Sequence, residues 1–184
     1  MYFILKNNIF LEPEIGLREP KNLPKGLAFI HGQMITMPVE NPMVFTTNAK
    51  AGDAMIDFQD GSFPVMSKHF LELVKASGVD NLQVFPIIIK SEQDGTTWEN
   101  YFVVNIIGMI ACADLSKSNY DEIMPGFYSF HELAIHAEKA KDTLLFRLQE
   151  DPTTIIMHRS VGQYIKSQDP DKTLVGWSVA KIIQ

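Results

Sequence analysis

The segment His131-Glu132-Leu133-Ala134-Ile135-His136 sets two imidazoles and a carboxylate within six residues, an assortment that could ligate a metal. The chemistry needs a different spacing. Histidines four apart lie about one helical turn from each other, so both rings reach one ion. Five apart, they stand ~140° round a helix. In a strand, an odd separation sends them to opposite faces. The sequence therefore predicts two solvated histidines and no metal. Asp53, Asp57 and Asp60, the last followed by Gly61, form an acidic cluster with no Lys or Arg from Ala51 to Ser67. Its spacing departs from the calcium-loop pattern. It also gives no support to paired carboxylates for acid–base hydrolysis. Two readings stay open: a solvated turn, or an acidic contact surface for a basic partner. Cys112 is the single cysteine and lies in the apolar run Ile110-Ala111-Cys112-Ala113. No basic residue stands near it in sequence, so a buried, inert thiol is expected. Asn105 sits among Val103, Val104, Ile106 and Ile107. If buried, its amide must be paired, because an unpaired one costs roughly 1–3 kcal/mol. A structural bond to backbone is the expectation, and a ligand contact the alternative. The sequence holds no phosphate-cradling glycine loop, nucleophile elbow or Cys-x-x-Cys pair.

These residues need elements to hold them. Six of the ten prolines (Pro13, Pro20, Pro24, Pro38, Pro42 and Pro64) fall in the first 64 residues, which opposes long helices and central strands there. The expectation is a strand at Tyr2–Ile9, then irregular chain with short extended pieces at Leu27–Ile30 and Met43–Thr46. Ser67 is a good N-cap for a helix over Lys68–Ser77, with Gly78 as its stop. Phe70, Leu71 and Val74 would face the core, and Lys68 and Glu72 the solvent. Leu82–Lys90 reads as a strand apolar on both faces, with Pro86 demanding an edge position or a bulge. After the turn signal Gln93-Asp94-Gly95, Tyr101–Asp114 returns as a long partner across a loop of about ten residues. In Leu144–Glu150, alternation points Leu144, Phe146 and Leu148 inward and Arg147 and Gln149 outward. Thr153–Met157 is a further strand. Ser160 and Gln163 form a capping box for a helix over Val161–Ser167, and Leu174–Ile183 closes as a strand. No βαβ rhythm or repeat appears. The fold class predicted is α+β: a mainly antiparallel sheet with two short helices, plus a Pro-rich N-terminal lobe. The domain division expected is 1–62 for the lobe and 63–184 for the α+β unit.

Composition narrows the function classes. The chain has 184 residues, 46% hydrophobic and 21% charged, ordinary values for a globular protein. Its net charge of −6 argues against a nucleic-acid footprint, which needs clustered Lys and Arg. The longest apolar region, Phe102–Ala113, is interrupted by Asn105 and Gly108 and falls short of the ~20 residues of a membrane helix. The short apolar N-terminus lacks the core of a signal peptide. A cytoplasmic location is expected.

With the elements placed, a family pattern stands out. Asp57-Phe58 followed by Pro64-Val65-Met66-Ser67 resembles the entry to the first helix in immunity protein family eleven, a bacterial family of polymorphic-toxin immunity proteins. Val79–Pro86 is similar to that family's strand into a phenylalanine-proline pair. Tyr101–Asn105 resembles its tyrosine-to-asparagine strand, and Cys112–Ser118 its acidic-then-serine turn. Leu145-Phe146-Arg147, the Ser160 helix and Gly176-Trp177 fit its late part. The resemblance covers about residues 55–180 in order, and the N-terminal part matches loosely.

The resemblance implies an inhibitor without catalysis or cofactor, which binds a cognate toxin domain and blocks it. Asp53, Asp57 and Asp60 then become a candidate toxin-contact surface. Phe58, Ser67, Pro86, Tyr101, Asn105, Asp114, Ser118, Arg147 and Trp177 carry the family pattern, as structural or interface positions. The partner implied is a protein, with no nucleic acid and no membrane, and homo-oligomerisation is left open. Two other classes compete. One is a hydrolase with a dispersed site, which would need His69, His131 or His158 beside Asp57 or Asp114. The other is a small-ligand-binding module, with the Met-containing N-terminal segment over a pocket.

Overall fold

In the computed structural model, which describes residues 1–7, 15–21 and 23–183, both expected helices are present. Helix α1 spans Lys68–Ala76, and the Ser67 hydroxyl accepts the Phe70 amide at 3.1 Å. That bond satisfies one of the orphan amides of the first turn. Phe70, Leu71 and Val74 are buried. Gly78 follows at φ 102°, the left-handed conformation that ends a helix at least cost in glycine. Helix α2 spans Arg159–Gln168, and here the cap differs from expectation. His158, not Ser160, is the N-cap, and its ring accepts the Ser160 amide at 3.4 Å. The preceding strand runs to His158, so the helix starts at Arg159, one residue before Ser160. Ser160 Oγ instead lies 2.8 Å from His158 Nδ1.

Two mixed sheets carry the rest. One has five strands in the order β13 (Trp177–Lys181), β1 (Tyr2–Asn7), β12 (Ile155–His158), β11 (Leu145–Leu148) and β8 (Met109–Ile110). The other has six: β2 (Leu17–Arg18), β3 (Met43–Thr47), β6 (Leu82–Ser91), β7 (Thr97–Ile106), β5 (Val65–Ser67) and β4 (Phe58–Gln59). Strands β9 (Asn119–Met124) and β10 (Phe127–Glu132) form a separate two-stranded hairpin. Pairing is antiparallel except between β3 and β6 and between β8 and β11. The fold is α+β and mainly sheet, as the sequence predicts.

Three apolar clusters explain how the layers stack. The central one joins both helices to one face of each sheet: Leu5, Phe58, Met66, Phe70, Val104, Leu145, Met157 and Val161 meet there. A second covers the other face of the six-stranded sheet. Its Leu27, Phe29, Met43 and Phe45 come from the Pro-rich segment and pack with Ile87, Ile89 and Val103. A third covers the other face of the five-stranded sheet, with Tyr2, Cys112, Leu133, Phe146 and Ile156. Each sheet is therefore apolar on both faces, which is why β6 shows no clean alternation. The first 62 residues give β1 to one sheet and β2, β3 and β4 to the other.

Several expectations are corrected. The first strand ends at Asn7; the expected residues 8 and 9, and Pro13, lie outside the described residues. Leu27–Ile30 is irregular, although Leu27 and Phe29 are buried. The loop between β6 and β7 spans residues 92–96, not about ten, because β7 begins at Thr97. Asp94 tightens it by accepting the Thr96 amide at 3.0 Å and the Ala51 amide at 2.9 Å. The expected long strand to Asp114 breaks at Gly108, φ 117°, where the chain leaves one sheet for the other. Arg147, expected outward, is fully buried at 0% exposure. Its strand β11 lies between β12 and β8 with apolar layers on both faces, so alternation does not mark solvent. Pro86 sits in β6 opposite Phe102 of β7. The β3 pairing begins at Ile87, so the donor that proline lacks is not needed there.

Gly176 shows how the chain ends are fastened. It has φ 82°, and a Cβ there would stand 2.7 Å from Ile56 Cβ. Both the conformation and the space exclude a side chain. Gly176→Ala is expected to destabilise the protein by ~2–3 kcal/mol, read as a lower midpoint in chemical denaturation. A change below ~0.5 kcal/mol would contradict this packing.

Candidate functional site

The residues singled out from sequence gather into polar clasps between elements. Asp57 is the densest of these. Its Oδ1 accepts the Ser67 hydroxyl at 2.5 Å, and its Oδ2 accepts the Val175 amide at 2.7 Å. Its own amide donates to the Val175 carbonyl at 2.7 Å, and its carbonyl accepts the Ser67 amide at 2.9 Å. Both carboxylate oxygens are thus engaged inside the protein. Phe58 next to it is buried, with its ring 5.6 Å from Phe70. Phe70 in turn meets Trp177 at 5.5 Å, and Lys166 Nζ stands 6.0 Å over the indole. Tyr101, paired with Ser67 across β5 and β7, is buried. Burial, then the Asp57 charge, pushes its phenol well above the usual range.

The other two acids of the cluster do different things. Asp53 accepts the Lys50 amide at 2.9 Å within a turn. Asp60 accepts the Asn7 amide at 3.2 Å, and burial raises its carboxyl above the ordinary value.

Asn105 is fully buried, and its amide donates to the Gln33 carbonyl at 2.8 Å and to Gln83 Oε1 at 3.1 Å. Gln83 also exchanges two bonds with the backbone of Ile35, at 2.9 and 2.8 Å. Two side chains thereby tie the irregular N-terminal segment to the sheet. Asp114 accepts the Ser116 hydroxyl at 2.6 Å, which holds its carboxyl below the usual range. Ser118 donates to the Asp114 carbonyl at 2.8 Å and accepts the Ala134 amide at 2.9 Å. Arg147 donates to the Pro152 carbonyl at 2.5 Å and more weakly to that of Gly61 at 3.5 Å. Desolvation pulls its guanidinium down to about 10, still charged at neutral pH.

Among the described residues, the groups that could do chemistry lie in several separate places. Cys112 is buried, and desolvation pushes its thiol up to about 12. A thiol so placed is not a nucleophile at neutral pH. His131 pairs with Asp121 at 2.9 Å across the β9–β10 hairpin. His136 stands 4.0 Å from Asp114 and 3.6 Å from Glu138. His158 lies beside Ser160, and His69 near Asp169. The pairings that a dispersed hydrolase would need are not formed. Among the described residues no three His, Cys, Asp or Glu side chains form a metal-binding group. A cavity of about 430 Å³ opens between residues 18–21, 23–24 and 39–46, bordered by the charged Arg18, Glu19, Lys21, Glu40 and Glu92. No helix of the described residues is long and apolar enough to cross a membrane.

The class defined by this arrangement is a mixed-sheet α+β protein, with its marked polar residues spent on holding segments together. The sequence model of the Immunity protein family (Imm11) matches residues 5–183, nearly the whole chain, and the protein belongs to that family. The match extends well beyond residues 55–180 and takes in the N-terminal segment that fits loosely by eye. None of the curated proteins compared with it matches the sequence.

Two substitutions test the clasp. Asp57→Ala leaves the Val175 amide and the Ser67 hydroxyl without their acceptor and is expected to cost ~2–4 kcal/mol. Ser67→Ala removes the helix cap for ~1 kcal/mol. Because the two share a bond, the double variant should fall short of the sum; simple additivity in urea denaturation would refute the coupling. Asp60 gives a test in pH. Its raised folded pKa favours the protonated form, so its contribution is fully present below the unfolded value and is lost as pH rises through the folded one. Asp60→Asn should therefore gain stability over the parent at pH 7. The gain should shrink as the pH falls through the raised folded pKa and vanish at the unfolded value of about 4, and a pH-independent difference would refute the burial effect.

Proposed function

We propose that this chain neutralises a cognate toxin domain by binding it in a stable one-to-one complex, in the cytoplasm and without chemistry of its own. The observation that carries the reading is the family match over residues 5–183. The disposition of ionisable groups supports it. The thiol is buried in an apolar cluster. His131, His158 and His69 stand beside Asp121, Ser160 and Asp169 rather than beside Asp57 or Asp114. The negative balance of −6 suits a basic toxin, since opposite charge steers encounter.

The test is co-expression with the toxin domain encoded immediately upstream. Growth is expected to be restored, and the two chains to elute together at one-to-one stoichiometry. Persistent growth arrest without a co-purified complex would overturn the reading.

A further inference from the structure

Strands β9 and β10 are set apart from the rest of the fold. They pair with each other and belong to neither large sheet. The base is anchored by bridges from Ala113 to Ile135 and from Ala134 to Ile183, and next to the turn the Tyr128 amide donates to the Glu150 carbonyl at 2.8 Å, which holds the tip in place. One face is held by rings. Tyr120, Tyr128 and Phe130 lie with centroids 4.9–6.0 Å apart, and Phe130 packs against the third apolar cluster. The opposite face, with Asp121, Ile123, Ser129 and His131, is exposed throughout.

Six large apolar side chains are exposed among the described residues. Three of them crown this hairpin: Ile123 at 67%, Met124 at 56% and Phe127 at 43%. Single exposed apolar residues need no explanation, but a cluster at one turn marks an interaction surface. Directly below the tip stand Asp121 and Glu122, with Glu132 at the far end of β10. No Lys or Arg occurs from Ser118 to Glu138. The pattern is an apolar tip on an acidic stem, the form of a hydrophobic anchor with a charged rim.

We infer that the hairpin is the element that docks the toxin, its Ile123-Met124-Phe127 tip seated in an apolar recess bordered by Lys or Arg. This rests on the immunity reading. Charge decides among occupants. Two copies of this chain would oppose acidic stems at the same contact, and like charges so placed disfavour association. An anionic membrane surface is repelled for the same reason. A basic protein face is attracted. The ring-stacked inner face keeps the backbone in place before binding, which lowers the ordering cost of the contact.

The experiment uses the full chain and the purified toxin domain encoded upstream, with affinity measured by calorimetry at two salt concentrations. A triple variant, Ile123→Ser with Met124→Ser and Phe127→Ser, is expected to bind at least roughly 30-fold more weakly. Asp121→Lys with Glu122→Lys should slow association roughly 10-fold and flatten its salt dependence. Unchanged thermal unfolding in both variants excludes misfolding. If the parent binds and both folded variants bind equally well, the docking role is wrong and the immunity reading stands. If the parent does not bind the toxin, both fall. If the parent self-associates and the triple variant is monomeric in sedimentation, the tip is a homotypic contact and the toxin assignment is overturned.

Discussion

The Asp57 carboxylate is the interaction on which the arrangement of layers depends. It accepts from Ser67, the residue that starts α1, and from Val175, the residue before the close approach of Gly176 to Ile56. One side chain thereby fixes where the first helix begins and where the C-terminal strand approaches. Hydrogen bonds to a charged group contribute about 1.5–3 kcal/mol each, more than neutral pairs. The phenyl ring of Phe58 next to it continues the contact through Phe70 to Trp177. Helix, second sheet and closing strand meet at that point, and the central apolar cluster fills in around it.

The same economy recurs elsewhere. Asn105 and Gln83 hold the irregular segment around Gln33–Ile35 through its backbone groups. Ser118 and Asp114 fasten the base of the β9–β10 hairpin to Ala134. Arg147 satisfies part of its guanidinium with the carbonyls of Pro152 and Gly61. In each case a buried or half-buried polar side chain replaces the ladder bonds that irregular backbone cannot make for itself. Residues that carry the family pattern are, in this structure, largely the residues that let long loops pack as tightly as strands.

Local chemistry was legible where a signal acts over one or two turns of chain. Ser67 and Gly78 bracket α1 because capping is a nearest-neighbour matter. His131 sits beside Asp121 and His136 near Asp114. Signals failed where a second layer intervened. Arg147 alternates with Phe146 and Leu148 and so reads as outward, yet both faces of β11 are covered. For the acidic cluster the sequence left a turn and a contact surface open; Asp57 bonds across the fold, and Asp53 serves a turn. The hairpin was missed although Pro125-Gly126 punctuates it, because its strands are largely exposed and lack apolar alternation.

By itself the sequence determined the α+β class, the two helices, the principal strands and the family pattern. Each of these follows from periodicity, capping or ordered short motifs, which are properties of neighbours along the chain. The tertiary structure decided which faces are covered, where the chain leaves one sheet for the other at Gly108, and which polar groups are spent inside. It also decided which apolar residues remain in solvent at Ile123, Met124 and Phe127. Burial depends on what distant segments lie against a residue, and one strand's pattern does not carry that information.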